Sequence, residues 1–259
     1  CEDNVSTQLT PEYVNTVYLV KFYDIVLDLD EKLVLNIDRN NYLAKRQLHV
    51  KAILKRFYDP KTGDFCGNEF AANAYAVDIG LGDHRTLERL VQKYERLNGF
   101  DTGIFGTEIL MRTLCEHNHS ILAYRLLTSK KKNHSFGSML SRGATALWEN
   151  WDGVGSHSQP MFGACIQTLW TGLLGIQNLK AGYRKVRIAP CDIKELGNMQ
   201  GSIFTSEGNL AISLTRGERK ISVVIDIPKG VEAQFDFHGI SKKLHSGKNR
   251  ICIHKEADE

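Results

Sequence analysis

Two tryptophans flank a carboxylate in one short stretch of this 259-residue chain. The run Trp148-Glu149-Asn150-Trp151-Asp152 also places a second carboxylate three residues after the first. Carboxylates bind sugar hydroxyls or transfer protons, and the face of a tryptophan packs against the C–H surface of a pyranose ring. The stretch therefore indicates a carbohydrate site with Glu149 as its acid or base. Composition alone leaves one alternative, a buried capping glutamate between two core tryptophans.

Around this stretch, residues 143–153 read Gly-Ala-Thr-Ala-Leu-Trp-Glu-Asn-Trp-Asp-Gly, and residues 156–163 read Ser-His-Ser-Gln-Pro-Met-Phe-Gly. Together they resemble G-A-T-x-x-W-E-x-W-D-G followed by S-H-x-H-P-x-F-G in the α-L-rhamnosidases of glycoside hydrolase family 78. Further segments resemble the same family, in the same order, and extend the likeness over most of the chain: residues 65–67 with 71–74, 101–107, 123–128 and 181–186.

This resemblance implies an (α/α)6 barrel whose central loops form a sugar pocket, and the inverting hydrolysis of terminal α-L-rhamnosides of plant or bacterial glycans. In such a mechanism one acid protonates the leaving oxygen, while a base about 6.5–9.5 Å away activates water on the other face of the sugar. Glu149 stands where the family carries its general base. The residues expected to contact the rhamnose-containing oligosaccharide or glycoside are Trp148, Trp151, Asp152, His157 and Gln159, with the two tryptophans forming an apolar wall.

The sequence departs from the family pattern in two places. The family's general acid lies in an acidic segment containing R-D-E, and this chain has no such segment. Gln159 replaces the second histidine of S-H-x-H, and glutamine forms hydrogen bonds but carries no charge. We therefore expect that the general acid lies outside this chain and that the 259 residues alone do not hydrolyse rhamnosides. The alternatives are a non-catalytic sugar-binding protein and a piece of a longer active enzyme.

The periodicity of apolar residues predicts a mainly α chain with a β-domain at its C-terminal end. Helical spacing predicts helices in the following ranges: a first one opening at Pro11, then residues 38–58, 69–80, 84–97, 105–117, 119–128 and 160–175. After Gly175 apolar residues alternate with polar ones, which is typical of strands. We predict that residues 1–179 form the C-terminal portion of an (α/α)6 barrel, and that residues 180–259 form a small antiparallel β-sandwich-like domain.

About seven helices are predicted, whereas such a barrel has twelve. Several helices therefore lack neighbours to cover their apolar faces, and such a surface favours association with a partner, including a second copy of the chain.

Other function classes find little support. The formal net charge of +3 does not indicate nucleic-acid binding, and no apolar run approaches the roughly 18 residues of a membrane span. No motif for a cofactor is present, and we expect none. Cys115-Glu116-His117-Asn118-His119 offers metal ligands but is interpreted as a loop between two helices, so no metal is expected. Cys1 allows a lipid-anchored bacterial protein, and a periplasmic or extracellular location is favoured.

Overall fold

The computed structural model describes residues 9–130 and 134–254. Their contacts divide the chain into two compact units between Cys165 and Ile166, upstream of the expected boundary at residue 179. Cys1, the residue considered for lipid attachment, lies outside the described residues. The first unit is helical, and the second consists mainly of strands. A mainly α fold followed by a β-domain is therefore confirmed.

The first unit holds α-helices and one short hairpin among its described residues. The helices are α1 (Pro11–Leu33), α2 (Arg39–Phe57), α3 (Ala72–Asp78), α4 (His84–Leu97), α5 (Ile104–Glu116), α6 (Ser120–Thr128) and α7 (Phe136–Ser141), and the hairpin pairs β1 (Tyr58–Asp59) with β2 (Asp64–Phe65). None of the described helices is both long and apolar enough to cross a membrane.

Local signals fix several of these helices. Pro11 occupies the first turn of α1, where its missing N–H costs nothing. Asp83 caps α4 because its side chain accepts from the amides of Arg85 and Thr86, and the Asp83 amide in turn donates to Thr86 Oγ1. α4 consequently has the bounds predicted for it. The predicted stretch 160–175 is helical in another form, a 3-10 turn at Pro160–Ile166 and a π-turn at Leu169–Leu173.

Helix α1 has apolar residues on two opposite faces. Tyr13, Val17 and Val20 on one face are buried in the core of the first unit. At 3.6 residues per turn, a second stripe lies on the other face. We call it the α1 stripe, and its side chains are 37–62% exposed: Tyr18, Phe22, Ile25, Leu29 and Leu33. A helix that is apolar on both sides favours a partner on each of them.

A buried carboxylate links three helices of this unit. Asp78, at the end of α3, accepts a 2.7 Å hydrogen bond from Lys21 of α1 and a second from Arg112 of α5. Its side chain is 2% exposed. Burial raises the pKa of Asp78, but the hydrogen bonds from Arg112 and Lys21 outweigh burial and hold this pKa below its ordinary value. The ionised carboxylate therefore stabilises the packing of α1, α3 and α5.

The second unit contains two four-stranded sheets. Its strands are β3 (Ile176–Lys180), β4 (Lys185–Ile188), β5 (Asn198–Thr205), β6 (Gly208–Arg216), β7 (Lys220–Ile227), β8 (Glu232–Phe237), β9 (Ile240–Leu244) and β10 (Gly247–His254). One sheet has the order β10-β7-β6-β5 and is antiparallel throughout. The other has the order β3-β4-β8-β9. Inward-facing residues of both sheets, such as Val186, Leu210 and Phe235, form a common core.

One strand pair differs from the antiparallel arrangement that we expected. β4 and β8 run parallel, with Val186 opposite Ala233, while the other pairs of this sheet are antiparallel. Parallel neighbours require a crossover connection. Here the chain between them passes through β5, β6 and β7 of the other sheet.

Candidate active site

Glu149 lies on a loop of the first unit that closes on itself. We call residues 147–159 the Glu149 loop. Its two ends run side by side, because the Glu149 amide donates to the Ser156 carbonyl at 2.8 Å and the Gln159 amide donates to the Leu147 carbonyl at 2.7 Å. These bonds hold Glu149 close to the segment that begins at Ser156 and thus bring the two sequence motifs together.

The Glu149 carboxylate is held by the same loop. Its Oε2 accepts a 2.9 Å hydrogen bond from the Ser156 amide. Gly155 leaves the space for this oxygen, since a Cβ at that position would lie 2.7 Å from Oε2. Gly155 also has φ +92°, a conformation that favours glycine. Glu149 is half-buried rather than buried, whereas the tryptophans on both sides of it are buried, as the alternative of a capping glutamate between two core tryptophans expects.

The Trp148 indole is buried against two polar side chains, those of His157 and Arg142. Its side chain is 8% exposed. The His157 ring stacks on the indole, with 4.8 Å between ring centroids and 21° between planes, and the Arg142 guanidinium lies 4.7 Å from the Trp148 ring centroid. His157 Nε2 also donates to the Gly153 carbonyl at 2.8 Å. The structure thus joins Trp148 and His157, with the histidine exposed and the tryptophan buried.

Trp151 occupies a different environment from the one predicted. Its side chain is 3% exposed and stacks on Phe100, with 5.2 Å between ring centroids and 6° between planes. The Phe162 ring is 4.4 Å away, and Trp151 Nε1 donates to the Thr102 carbonyl at 2.6 Å. The open apolar wall expected from Trp151 is therefore not what this structure shows, because aromatic rings from other segments bury the indole. Trp151 anchors the Glu149 loop to the core.

The remaining predicted contacts lie on the same loop. Asp152 is exposed, and its Oδ1 accepts a 3.0 Å hydrogen bond from the Val154 amide, which shapes the turn. Gln159 is half-buried directly before Pro160. A role for Asp152 and Gln159 in holding a sugar stays a prediction.

The candidate metal ligands at residues 115–119 lie where α5 ends and α6 begins. The His117 amide donates to the Thr113 carbonyl, and the His119 amide donates to the Leu114 carbonyl at 2.7 Å. Asn118 adopts φ +66°, which turns the chain. Within residues 9–130 and 134–254, no group of three or more His, Cys, Asp or Glu side chains is arranged to hold a metal ion.

Two family models cover most of the chain. Residues 2–170 match the bacterial α-L-rhamnosidase 6 hairpin glycosidase domain, and residues 175–251 match the bacterial α-L-rhamnosidase C-terminal domain. The chain belongs to the bacterial α-L-rhamnosidase family. The resemblance drawn from the sequence motifs is thereby confirmed.

Curated members of the family are distant and longer. The chain is 24% identical over 243 residues to an α-L-rhamnosidase of Alteromonas sp. (strain LOR), covering 86% of this chain and 26% of the relative. It is 22% identical over 247 residues to an α-L-rhamnosidase of Streptomyces avermitilis, covering 89% of this chain and 24% of the relative. The chain thus spans about a quarter of the length of the curated relatives it matches.

Solved rhamnosidase structures share the fold. The structure of the Streptomyces avermitilis α-L-rhamnosidase complexed with L-rhamnose superposes with a TM-score of 0.83 at 20% identity, covering 92% of this chain and 26% of that one. The structure of the native α-L-rhamnosidase from Aspergillus terreus superposes with a TM-score of 0.82 at 18% identity, covering 92% of this chain and 30% of that one. At identities this low, the superpositions establish the architecture alone, which is part of a six-hairpin glycosidase followed by a β-domain.

The motif analysis missed one residue of the site. Arg142 follows α7, and its guanidinium donates to the Trp151 carbonyl and, at 3.2 Å, to the Asp152 carbonyl. A single arginine before Gly143 carries no recognisable spacing, so only the folded loop reveals its contacts.

Proposed function

We propose that this chain supplies the general-base side of an inverting glycosidase site for terminal α-L-rhamnosides, with Glu149 as the base. The observation that carries the proposal is the half-buried Glu149 carboxylate, oriented by the Ser156 amide on a loop anchored in the core. Membership of the rhamnosidase family supports the substrate class. The L-rhamnose complex of the Streptomyces avermitilis relative supports the sugar.

In the proposed reaction, Glu149 accepts a proton from a water molecule as the water oxygen attacks the anomeric carbon. The bond from that carbon to the leaving oxygen breaks on the opposite face, and a carboxylic acid gives its proton to the leaving oxygen. That acid is not supplied by this chain. The products are rhamnose with inverted configuration and the free aglycone alcohol. The amide of Ser156 contributes by fixing the direction of the carboxylate, which reduces the reorganisation that proton transfer requires.

Sugar contacts in this proposal come from the polar side of the Glu149 loop. His157 is exposed and Gln159 is half-buried, and both lie on the returning side of the loop, after Ser156. Asp152 presents a carboxylate that binds hydroxyl groups. Trp148 and Trp151 support this surface from the core, and we propose no open stacking of the sugar on Trp151.

The test compares turnover of an aryl α-L-rhamnoside by the 259-residue chain and by a longer rhamnosidase polypeptide that includes it. We expect no turnover by the chain alone. In the longer polypeptide, Glu149→Gln is expected to lower kcat by at least about 10²-fold, the scale of lost general-base catalysis. Glu116→Gln, an exposed carboxylate at the end of α5, is the matched control and should leave kcat unchanged. A normal rate for Glu149→Gln would place the base elsewhere.

A second candidate function is sugar binding without hydrolysis. It is favoured by Gln159, which occupies the position of a family histidine in the motif that the chain resembles. Calorimetric titration of the chain with L-rhamnose separates the candidates. Binding by the chain, together with no turnover in the longer polypeptide, would support this second function.

We also propose that the α1 stripe pairs with the same stripe of a second copy. Its apolar side chains recur with helical spacing along α1, and they are 37–62% exposed. Burying such a stripe against another helix removes apolar surface from water and stabilises the assembly. Sedimentation at several protein concentrations measures this association.

A further inference from the structure

Three consecutive carbonyl oxygens of the Glu149 loop are bound by two side chains. Arg142 donates to the carbonyls of Trp151 and Asp152, and His157 donates to that of Gly153. Backbone carbonyls in an exposed turn are usually satisfied by water. Here a planar guanidinium and an imidazole fix the direction of three peptide units in succession.

Both of these side chains also lie against Trp148. The Arg142 guanidinium is 4.7 Å from the indole centroid, a cation–π distance, and His157 stacks on the indole at 4.8 Å. The turn itself packs on the same indole, because a Cβ on Gly153 would lie 3.0 Å from its Cζ3 atom. Trp148 is the residue directly before Glu149, so the position of its ring is coupled to the direction in which the Glu149 side chain leaves the backbone.

We propose that Arg142 is the positioning residue of the base: it holds the Glu149 loop in the conformation in which the carboxylate meets the Ser156 amide. The role of Arg142 in positioning a base rests on the proposed function, whereas its effect on the conformation of the Glu149 loop does not. Arg142 reaches Glu149 through two routes, the carbonyls of Trp151 and Asp152 and the face of Trp148. A guanidinium serves both routes because its donors form a rigid fork and its plane stacks on an aromatic ring.

A lysine at this position keeps the charge but not the geometry. Its ammonium group is a compact donor that does not offer the planar fork. The Arg142→Lys variant therefore separates charge from positioning. Arg142→Met removes both and keeps much of the side-chain volume. Arg96→Met is the matched control, since Arg96 is exposed and donates to a backbone carbonyl, that of Gln92 in α4.

The experiment measures amide hydrogen exchange by NMR in the 259-residue chain. The reporters are the Glu149 amide, bonded to the Ser156 carbonyl, and the Ser156 amide, bonded to Glu149 Oε2. In Arg142→Met we expect both to exchange about 10-fold faster or more, on the scale of a lost charge-assisted hydrogen bond. Arg142→Lys should show a smaller acceleration in the same two amides. Amides of α5 should keep their wild-type rates, and Arg96→Met should leave the loop unchanged.

Two results would overturn the proposal. Unchanged amide exchange rates for Glu149 and Ser156 in Arg142→Met would show that the loop keeps its conformation without Arg142. Faster exchange spread evenly over α5 and the loop, in both Arg142 variants, would show a general structural role instead. If Arg142→Met does not fold, the exchange rates of the same two amides in Arg142→Lys and in wild type decide whether the proposal holds. The proposed function has a separate readout, rhamnoside turnover in the longer polypeptide, so either idea can fail without the other.

Discussion

The space left by Gly155 gives a sharp prediction about how Glu149 is placed. A Gly155→Ala substitution puts a Cβ 2.7 Å from Glu149 Oε2, at a residue with φ +92°. The left-handed backbone costs a residue other than glycine about 1–2 kcal/mol. The carboxylate is the end of a flexible side chain, so it escapes the clash by moving several tenths of an ångström away. That movement weakens the 2.9 Å bond from the Ser156 amide, for which we add about 1 kcal/mol.

Gly143→Ala is the matched control for this prediction. Gly143 has φ +86°, and a Cβ there meets nothing within 4 Å, so its substitution carries the backbone cost alone. In urea denaturation we expect Gly143→Ala to lose about 1–2 kcal/mol and Gly155→Ala to lose about 2–3 kcal/mol. The functional difference should be larger than the difference in stability. A catalytic group misplaced by about 1 Å costs about 10²-fold in rate, and a shift of several tenths of an ångström costs a smaller factor. If Glu149 is the base that we propose, Gly155→Ala should therefore reduce kcat in the longer polypeptide by up to about 10²-fold, and more than Gly143→Ala does.

The reasoning would be refuted if the two alanine variants had equal stability and equal kcat. Equal behaviour would mean that the Glu149 carboxylate does not depend on the space at Gly155. A crystal structure of the Gly155→Ala variant with Oε2 still 2.9 Å from the Ser156 nitrogen would refute it as well.

Three further predictions concern the framework around the site. Asp78→Asn should lower the free energy of unfolding by about 1.5–3 kcal/mol, because Lys21 loses its anionic partner and Arg112 keeps only its ion pair with Glu108. The pKa of Asp78 in the folded protein lies below its ordinary value, so the stabilisation by Asp78 is complete above the unfolded pKa and is lost as the pH falls through the folded pKa. Urea titrations between pH 7 and pH 2 should show the free energy of unfolding falling with pH in wild type, and falling less steeply in the variant. Trp151→Phe should cost about 2–3 kcal/mol, measured by thermal denaturation, because it leaves a cavity and leaves the Thr102 carbonyl with only the long 3.4 Å hydrogen bond from Thr107. A loss under 1 kcal/mol would contradict the anchoring role. Phe22→Glu should abolish concentration-dependent association in sedimentation while leaving the melting temperature within a few degrees of wild type, and persistent dimers would exclude the α1 stripe as the interface.

The sequence predicts those parts of the fold whose signals are local. Asp83 and Thr86 form a capping box at the start of α4, and the predicted bounds agree with the structure. Helix α7 was not predicted, because its six residues include a glycine and are too few to show a period. The parallel pairing of β4 with β8 was not predicted either. Alternation along a strand identifies which residues face the core, but it contains no information about which distant strand lies alongside.

The site shows the same division between local pattern and long-range contact. Glu149 is recognisable because its neighbours form a motif that resembles a family, and the folded chain leaves it half-buried. The burial of Trp151 depends on Phe100 and Phe162, which come from segments about 50 residues before it and 11 residues after it. No spacing around Trp151 encodes those contacts, so the aromatic pattern that suits a sugar equally suits a core.

The burial of the two tryptophans and the half-buried position of the Glu149 carboxylate both follow from the way the Glu149 loop is anchored. A base that activates water requires a carboxylate that stays ionised and keeps its direction, and a bare surface loop provides the first property but not the second. In this chain two contacts of the loop fix the direction of the carboxylate. The first is Trp151, which is buried in the core and donates to the Thr102 carbonyl, and the second is Arg142, which donates to the carbonyls of Trp151 and Asp152. Neither anchor removes Glu149 from solvent. If Trp151 instead stacked on the sugar in the reaction that we propose, the loop would lose its anchor in the core whenever the sugar left, and the proposed base Glu149 would have to be repositioned in every cycle. The buried indole is therefore the arrangement that a pre-positioned base favours.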